Sequence, residues 1–285
     1  MTSRCPLSPS QAGQMRSAYL AHLEIDHFHE PNLDLLRRLQ RAHVQTIPYE
    51  NLDMLAGQLV SLEPVQLFEK IIVERRGGYC FELNSLFGWL LRDLGFDTEF
   101  RMGRVWLRDP EDVPPRNHGS HIVRLNGRRF IADVGFGGRA PRVPLDIDLF
   151  DTVIEDGDAT GEPLRIVHAD EFGLMVQRRI AGTWSNQFSL EPIPAHASDL
   201  EVANFYQACA PTSHFRSHLF VGRFRESGRD GLFDTRLSRR RGTETSIELI
   251  ENIERLCEVL QDVFEIDPAP HRKVLTTVLE NSQCD

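Results

Sequence analysis

Apolar residues recur at helical spacing from about residue 15 to Leu94, after a polar stretch of 14 residues that we predict to be a loose tail. One helix is predicted after Asn32, a common capping residue. The strongest pattern follows Cys80 with spacing i, i+3, i+4, i+7, i+8, i+11, and its members are Leu83, Leu86, Phe87, Leu90, Leu91 and Leu94. Gly95 then stands where a glycine often ends a helix. The first part of the chain is therefore predicted to be helical.

Beyond Gly95 the pattern changes to alternation of apolar and polar residues, which favours strands. Segments 97–107 and 120–138 are strand-like, and Asn126-Gly127 is a strong signal for a two-residue hairpin turn. A second strand pair is predicted to turn near Ala181-Gly182. The middle of the chain is therefore predicted to be antiparallel β-structure.

The last part of the chain, from about residue 204, mixes both patterns. Segments 219–224 and 231–243 are predicted strands, whereas 245–264 and 271–280 have helical spacing. The fold class predicted from these three parts is α+β with several domains. The boundaries divide the chain into residues 1–95, 96–203 and 204–285.

Composition excludes several classes of protein. Apolar residues make up 41% and charged residues 26% of the 285 positions, as in soluble globular proteins. The net charge of −10 argues against broad nucleic-acid binding, which needs a basic face. No apolar run approaches the ~18 residues of a membrane span, and the N-terminus lacks an apolar signal core. Five widely spaced cysteines without a C-x-x-C pair argue against a disulfide framework and predict a cytosolic protein.

The segment RRGGYCFELN, residues 75–84, places Cys80 at the start of the strongest predicted helix. Peptide dipoles at a helix N-terminus favour a thiolate, so we predict a lowered pKa for this thiol. The preceding Gly77 and Gly78 allow a sharp turn and close approach of a substrate. A thiolate nucleophile also requires a general base and a carboxylate that orients the base.

A two-residue turn at 126–127 fixes the register of the hairpin that supplies these groups. In this register Ser120 lies opposite Asp133, and His118 and Asp133 are diagonal neighbours on one face. His121 points to the opposite face. The register therefore selects His118 as the base and Asp133 as its orienting carboxylate.

Other candidate motifs are weaker, and no metal site is predicted. His27 and His29 are close in sequence, but no second cluster of ligands accompanies them. His214 and His218 have the i, i+4 spacing of zinc proteases, but Phe215 replaces the glutamate of H-E-x-x-H.

These motifs resemble those of the arylamine N-acetyltransferases. The matching stretches are RRGGYCFELN around Cys80, the histidine at His118, and FIADVGFGG around Asp133. HVQTIPYENLDML (43–55) and DLEVANFYQACAPTSHF (199–215) resemble two further stretches of that family. The resemblance implies a helical N-terminal domain with the nucleophile, a central β-barrel with the histidine and aspartate, and a C-terminal α/β lid. It also implies a catalytic core like that of cysteine proteases.

The resemblance also implies an activity in xenobiotic metabolism. Cys80 would take the acetyl group of acetyl-CoA and pass it to an arylamine, arylhydrazine or arylhydroxylamine by a ping-pong mechanism. Phe136 and Tyr49 would line the acceptor pocket, and Tyr206 and Thr212 would contact CoA. The implied partners are small aromatic amines and a CoA thioester, with no metal, nucleic acid or membrane. The protein would be a cytoplasmic monomer or homodimer.

Three other functions remain open on the sequence. A member of the same superfamily can act as an amide synthase that closes a macrolactam on a carrier-bound polyketide. A cysteine hydrolase would replace the amine by water or a peptide. A non-catalytic binder of aromatic drugs would need none of Cys80, His118 and Asp133.

Overall fold

The computed structural model describes residues 7–26, 30–155 and 161–282, and its fold class is α+β, as predicted. The helices in these ranges are α1 (Pro9–His22), α2 (Leu33–Thr46), α3 (Leu52–Leu55), α4 (Pro64–Phe68), α5 (Cys80–Asp93), α6 (Ala197–Cys209), α7 (His214–Ser217), α8 (Ile253–Glu258) and α9 (Arg272–Ser282). The strands are β1 (Tyr49–Glu50), β2 (Asp97–Val105), β3 (His118–Leu125), β4 (Arg128–Ala132), β5 (Leu145–Asp146), β6 (Leu164–His168), β7 (Leu174–Ile180), β8 (Thr183–Leu190), β9 (Phe220–Arg225), β10 (Gly228–Phe233), β11 (Arg236–Arg241) and β12 (Glu244–Leu249). No helix in the described ranges is long and apolar enough to cross a membrane.

The N-terminal helices begin and end at the capping residues of the sequence. Asn32 caps α2 by accepting a hydrogen bond from the Leu35 amide (2.9 Å), and Gly95 follows α5 with φ = 90°. The prediction of a loose tail through residue 14 is wrong, because α1 already begins at Pro9. Ser8 caps that helix and Pro9 occupies its first position, both favourable helix starts.

The middle of the chain forms a seven-stranded antiparallel sheet in the order β5-β4-β3-β2-β8-β7-β6, which makes a nearly closed barrel. The predicted turns are confirmed. Asn126 and Gly127 have φ of 51° and 77°, and Ala181 and Gly182 have φ of 48° and 86°. Positive φ at both central residues matches the twist of the flanking strands. The barrel thus packs β2 and β3 against helix α5.

A second, five-stranded sheet has the order β1-β9-β10-β11-β12. The helix predicted over 245–264 is wrong in its first part, because residues 244–249 form β12 and pair with β11. Alternating β-branched residues suit this strand, and the helix begins only where Asn252 caps α8 through the Arg255 amide (2.8 Å). The shorter helix predicted at 271–280 is confirmed as α9.

Apolar contacts fix α5 between the other helices and the barrel. Leu86, Phe87 and Leu90 of α5 are fully buried in the core that also contains Ile131 and Phe188 of the barrel. Each such side chain contributes about 1.5–3 kcal/mol on burial. The helix that begins at Cys80 is therefore held firmly against the barrel, including the strand that begins at His118.

The division of the chain into three domains stays a prediction. The boundary at 95/96 falls between α5 and β2, and the boundary at 203/204 falls inside α6. Strand β1 also joins the helical part to the C-terminal sheet by pairing with β9.

Candidate active site

Cys80 is the first residue of α5, and its side chain lies against the chain segment that precedes His118. The residue is 4% exposed, and its thiol donates to the Asn117 carbonyl at 3.5 Å. The thiol therefore lies where the helix start meets the beginning of β3.

His118 and Asp133 form a buried hydrogen-bonded pair. Nε2 of His118 donates to Oδ2 of Asp133 at 2.6 Å, and both side chains are at most 1% exposed. Because the carboxylate is the acceptor, Nε2 carries the proton and Nδ1 is the basic nitrogen of the neutral ring. The prediction that His118 rather than His121 pairs with Asp133 is confirmed by this contact.

The predicted hairpin register is confirmed in every recorded pair, from Leu125–Arg128 to His121–Ala132. The β3–β4 ladder ends there, one pair before Ser120 and Asp133. Beyond the ladder, Oδ1 of Asp133 accepts a hydrogen bond from the Gly135 amide (2.8 Å). The carboxylate is consequently oriented by a local turn rather than by strand pairing.

Asn84, which was not among the predicted site residues, joins the three parts of the site. Its Nδ2 donates to the Gly119 carbonyl (2.8 Å) and to Oδ1 of Asp133 (2.9 Å), and its Oδ1 accepts from the Val134 amide (3.0 Å). The side chain is fully buried, four residues after Cys80 on the same helix. It therefore holds the helix that begins at Cys80, the strand that begins at His118 and the Asp133 carboxylate in one hydrogen-bonded unit.

His121 has a structural position on the opposite face of β3. Its Nε2 donates to the Asn84 carbonyl at 2.8 Å, and a Cβ on Gly88 would lie 2.0 Å from that nitrogen. Burial lowers the pKa of His121 to about 4, so the ring is neutral at physiological pH. The ring thus fills a notch that Gly88 leaves in α5.

Glycines bring three backbone segments close together at the site. A Cβ on Gly77 would lie 2.0 Å from the Pro48 carbonyl oxygen, and a Cβ on Gly135 would lie 2.8 Å from Cα of Cys80. Neither glycine has a positive φ, so each is needed for close packing rather than for a left-handed turn. We predicted that the glycine pair before Cys80 allows a sharp turn. The structure shows instead that Gly77 allows close packing against the Pro48 carbonyl.

The predicted lowering of the Cys80 pKa is wrong: in the folded protein the pKa of this thiol is raised. Burial raises its pKa well above the ordinary value, and the negative charge of Asp133 raises it further. The Phe81 amide at the helix start lowers the pKa, as expected for a helix N-terminus, but by less. A thiolate at this position would therefore need a neighbouring cation to stabilise it.

A buried network of charges lies beneath the first turn of α5. Nζ of Lys70 contacts carboxylate oxygens of Glu82 and Asp53, both at 2.8 Å. Arg76 contacts Asp53 (2.8 Å) and Glu50 (3.0 Å) through Nη2. Burial raises the pKa of the Glu82 carboxyl, against the opposing effect of Lys70. The network ties the segment before Cys80 to the helix that follows it.

Aromatic rings surround the imidazole of His118. The rings of Phe136 and Phe188 meet it edge-on at 5.1 and 4.9 Å between centroids. The ring of Tyr49 lies close to Gly137, with its carbons 3.6–3.7 Å from where a Cβ on Gly137 would be. The structure thus brings the predicted pocket residue Phe136 into contact with His118, whereas Phe188 was not predicted.

A cavity of about 390 Å³ lies between the barrel and α6, and its lining includes Met102, Arg116, Val202 and Tyr206 but none of Cys80, His118 and Asp133. Met102 also packs in the same apolar cluster as Cys80. The cavity is large enough to hold part of a substrate, and it is linked to the candidate site through this cluster.

The two residues predicted to contact CoA are neighbours at this cavity. The hydroxyl of Tyr206, which lines it, is 3.2 Å from Oγ1 of Thr212, and both side chains are exposed. Within the described ranges, no three histidine, cysteine or acidic side chains cluster as a metal site would require. His27 and His29 lie outside those ranges, as do Cys5 and Cys284.

Comparison with known proteins agrees with the geometry of the site. A family model described as N-acetyltransferase matches residues 32–271. The arylamine N-acetyltransferase / N-hydroxyarylamine O-acetyltransferase of Salmonella typhimurium is 37% identical over 211 residues, which are 74% of this chain and 73% of that protein. The arylamine N-acetyltransferase of Mycolicibacterium smegmatis is 32% identical over 255 residues, covering 87% of this chain and 90% of that one.

A solved structure is similar over nearly the whole chain. It is that of Mycobacterium marinum arylamine N-acetyltransferase in complex with CoA, with a TM-score of 0.87 and 31% identity. The match covers 93% of this chain and 98% of that one. From the family match and these relatives, the chain belongs to the arylamine N-acetyltransferase family.

Proposed function

We propose that this chain transfers an acetyl group from acetyl-CoA to arylamines, arylhydrazines or arylhydroxylamines through an acetyl-cysteine at Cys80. The observation that carries the proposal is the 2.6 Å bond between His118 and Asp133 beside a thiol at a helix start. Nucleophile, base and orienting carboxylate are the three groups that acyl transfer through a covalent intermediate requires. Membership of the family supports the same reaction.

In the first half-reaction His118 acts as base through Nδ1. It takes the proton of Cys80 as the sulfur attacks the thioester carbonyl of acetyl-CoA, because the buried thiol does not ionise alone. Collapse of the tetrahedral adduct breaks the bond from carbonyl carbon to CoA sulfur. The departing thiolate then takes the proton from the imidazolium, which Asp133 stabilises through Nε2.

In the second half-reaction the amine replaces the thiol as nucleophile. Its neutral nitrogen attacks the acetyl-cysteine carbonyl and loses a proton to Nδ1 of His118. The carbon–sulfur bond to Cys80 breaks, and the sulfur regains that proton as the amide leaves. The enzyme returns to its starting state, and CoA has left before the amine reacts, which is the ping-pong order.

The surroundings of the cysteine support an aromatic acceptor. Phe136 meets the ring of His118 and Tyr49 lies close by, so both are proposed to line the acceptor pocket. Tyr206 and Thr212 are proposed to contact CoA at the neighbouring cavity. We further propose that the protein acts in the cytoplasm on xenobiotic amines, as a monomer or homodimer.

The test is the intact mass of the protein after incubation with acetyl-CoA alone. The expected result is a gain of one acetyl group that maps to Cys80 and is absent in Cys80→Ser. Addition of an arylamine should then remove the group and yield the acetylated amine. Loss of the group to water at the same rate without amine would favour a hydrolase. Loading without transfer to any amine would favour an amide synthase, and no loading at all would overturn the proposal.

A further inference from the structure

We infer that Tyr79 and Asn204 are positioning residues, which hold helix α6 in place beside Cys80 while the cysteine is acetylated. The inference rests on the proposed function for the reaction that it affects. Neither residue is one of the three catalytic groups, and their effect passes through the helices that they hold.

A buried hydrogen bond joins the residue before Cys80 to helix α6. The hydroxyl of Tyr79 donates to Oδ1 of Asn204, and Nδ2 of Asn204 donates to the Val60 carbonyl at 2.9 Å. Tyr79 is fully buried, and Asn204 is 6% exposed. Burial raises the pKa of the Tyr79 hydroxyl well above its ordinary value, so the group keeps its proton. Because a buried polar atom without a partner is costly, each side chain fixes the position of the other.

The two ends of this bond lie at the two parts of the proposed active site. Tyr79 directly precedes Cys80, and its backbone amide donates to the Glu82 side chain (3.1 Å) in the first turn of α5. Asn204 stands two residues before Tyr206, which lines the cavity. The bond therefore connects the start of the helix that carries the nucleophile to the wall of the cavity.

Helix α6 has few other buried side chains that could fix its position. Its buried residues are Asn204, Gln207 and Ala208, of which only Ala208 is apolar. Leu200 and Ala203 pack against the apolar cluster that contains the thiol, but both are only partly buried. The bond from Asn204 to the tyrosine is consequently a main determinant of where the helix lies.

The ring of Tyr79 is itself held firmly. It meets the rings of Phe81 and Phe215 edge-on, each at 5.6 Å between centroids. Phe81 belongs to α5 and Phe215 to α7, so the ring is fixed between two helices. The hydroxyl therefore offers Asn204 one defined partner position, and α6 is placed relative to Cys80 rather than to a side chain that can move.

The position of α6 matters most for the first half-reaction. The donor must lie along the cavity with its thioester carbon within reach of the Cys80 sulfur, and small displacements of bound reactants are costly in rate. The proposed acceptor residues belong to other segments, since Phe136 follows β4 and Tyr49 begins β1. CoA has also left before the amine reacts. The bond should therefore support acetylation of Cys80 much more than transfer of the acetyl group to the amine.

The test measures the two half-reactions separately in Tyr79→Phe and Asn204→Leu. In the first, acetylation of Cys80 is followed by intact mass over a range of acetyl-CoA concentrations. Both variants should raise the half-saturating concentration by about fivefold, the usual contribution of one hydrogen bond. In the second, the acetylated protein is mixed with an arylamine, and both variants should release the acetyl group at the wild-type rate.

Two comparisons separate the bond from a general loss of packing. Tyr19→Phe makes the same chemical change at a fully buried tyrosine whose hydroxyl has no hydrogen-bond partner in the described part of the chain, so it should alter neither half-reaction. The double variant of Tyr79→Phe and Asn204→Leu should be no slower than Asn204→Leu, because each substitution breaks the same bond. Additive losses would show that the two residues act independently and would overturn the link.

Hydrogen exchange reports the position of α6 without any chemistry. Amides of α6 should exchange faster in Tyr79→Phe than in the wild type, whereas amides of α9 should be unchanged. Unchanged exchange in α6, or equal slowing of both half-reactions, would overturn the inference. If the wild type is never acetylated, the proposed function fails and the positioning role fails with it. If the wild type is acetylated and Tyr79→Phe matches it in both half-reactions, the inference fails alone.

Discussion

The Asn84 amide donates a 2.9 Å hydrogen bond to the Asp133 carboxylate, across the junction of helix α5 and the barrel. The same side chain is bonded to the backbone on both sides of the junction, at Gly119 and Val134. Asn84 therefore links the helix that begins at Cys80 directly to the Asp133 carboxylate.

Replacing Asn84 should disturb the site more than the fold. In Asn84→Ala the Val134 amide and Asp133 each lose a partner, which costs about 1–3 kcal/mol of stability for a buried polar group left unpaired. We expect acetylation of Cys80 to slow by roughly tenfold or more, because misplacement of a catalytic group is costly. Ser85→Ala, the next residue of the helix, is the control. Equal single-turnover rates for Asn84→Ala and Ser85→Ala in folded protein would contradict the role of Asn84.

The two histidines of β3 should respond differently to substitution. His118→Gln should slow acetyl transfer to Cys80 by at least ~10²-fold, the usual contribution of a general base. His121→Phe keeps a ring beside Phe100 but loses the bond to the Asn84 carbonyl, so it should reduce the unfolding free energy by about 1–3 kcal/mol. Single-turnover acetylation and urea unfolding separate the two effects. Comparable losses of rate in both variants, with both folded, would refute the assignment of the base.

The reactivity of the Cys80 thiol should depend on His118. Burial and Asp133 raise the thiol pKa, so a thiolate near neutral pH requires the imidazolium as its counter-ion. In His118→Gln the pH profile of alkylation by iodoacetamide should therefore move to higher pH, by at least about one unit. Labelling mapped by mass spectrometry also reports Cys209, which serves as the internal control. Overlapping Cys80 profiles in the variant and the wild type would show that the thiolate does not need the histidine.

Acid should destabilise the fold through His43. Its ring lies between Tyr19 and Phe87, neither nitrogen has a hydrogen-bond partner, and burial lowers its pKa to about 3. The unfolded chain therefore binds more protons than the folded one between about pH 6.5 and 3. Stability is highest above pH 6.5 and falls as the pH is lowered, by roughly 2 kcal/mol between pH 7 and pH 5 for this group.

His43→Phe should remove that part of the pH dependence. Urea unfolding at pH 7 and pH 5 measures the difference, and the exposed His168, replaced as His168→Phe, is the control. An unchanged loss of stability between the two pH values in His43→Phe would show that His43 is not responsible.

Acceptor preference should follow both ring shape and amine basicity. Anilines and hydrazines are largely neutral at pH 7, whereas alkyl amines resemble lysine, with a pKa near ~10.4, and are mostly charged. Aromatic walls add about 0.5–1.5 kcal/mol per ring pair. CoA release across a matched panel should therefore be fast with anilines and aryl hydrazides and slow with alkyl amines. Phe136→Leu should reduce the difference in rate between aromatic and alkyl amines. Equal rates for both amine classes in the wild type would contradict an aromatic acceptor pocket.

Local signals explain which parts of the fold and site could be predicted. The turn at 126–127 and the helix after Cys80 depend on neighbouring residues, and both are confirmed. The hairpin turn also brought His118 and Asp133 together correctly, because strand register follows from the turn. Elements that depend on residues close together in the sequence could therefore be predicted correctly.

The predictions failed where the structure depends on residues that are distant in the sequence. The sequence predicts that residues 245–249 begin a helix, but pairing with β11 makes them a strand. The helix start does lower the pKa of Cys80, yet burial beneath the barrel outweighs it, and burial depends on the tertiary fold. Asn84 stood within the motif around Cys80, but its partners are 35 to 50 residues away along the chain. Such contacts have no signature in a single sequence.

The two-residue strand β1 has a consequence for how the protein assembles. Tyr49 pairs with Gly222 and Glu50 with Val221, so a segment just upstream of the nucleophile has its partner near the other end of the chain. Such non-local pairing requires closure of a long loop and forms slowly. During synthesis from the N-terminus, Cys80, His118 and Asp133 all emerge from the ribosome before β9 does. We therefore expect the wall at Tyr49 to be completed last, so that a nascent chain cannot hold an acceptor amine until its C-terminal sheet has been made.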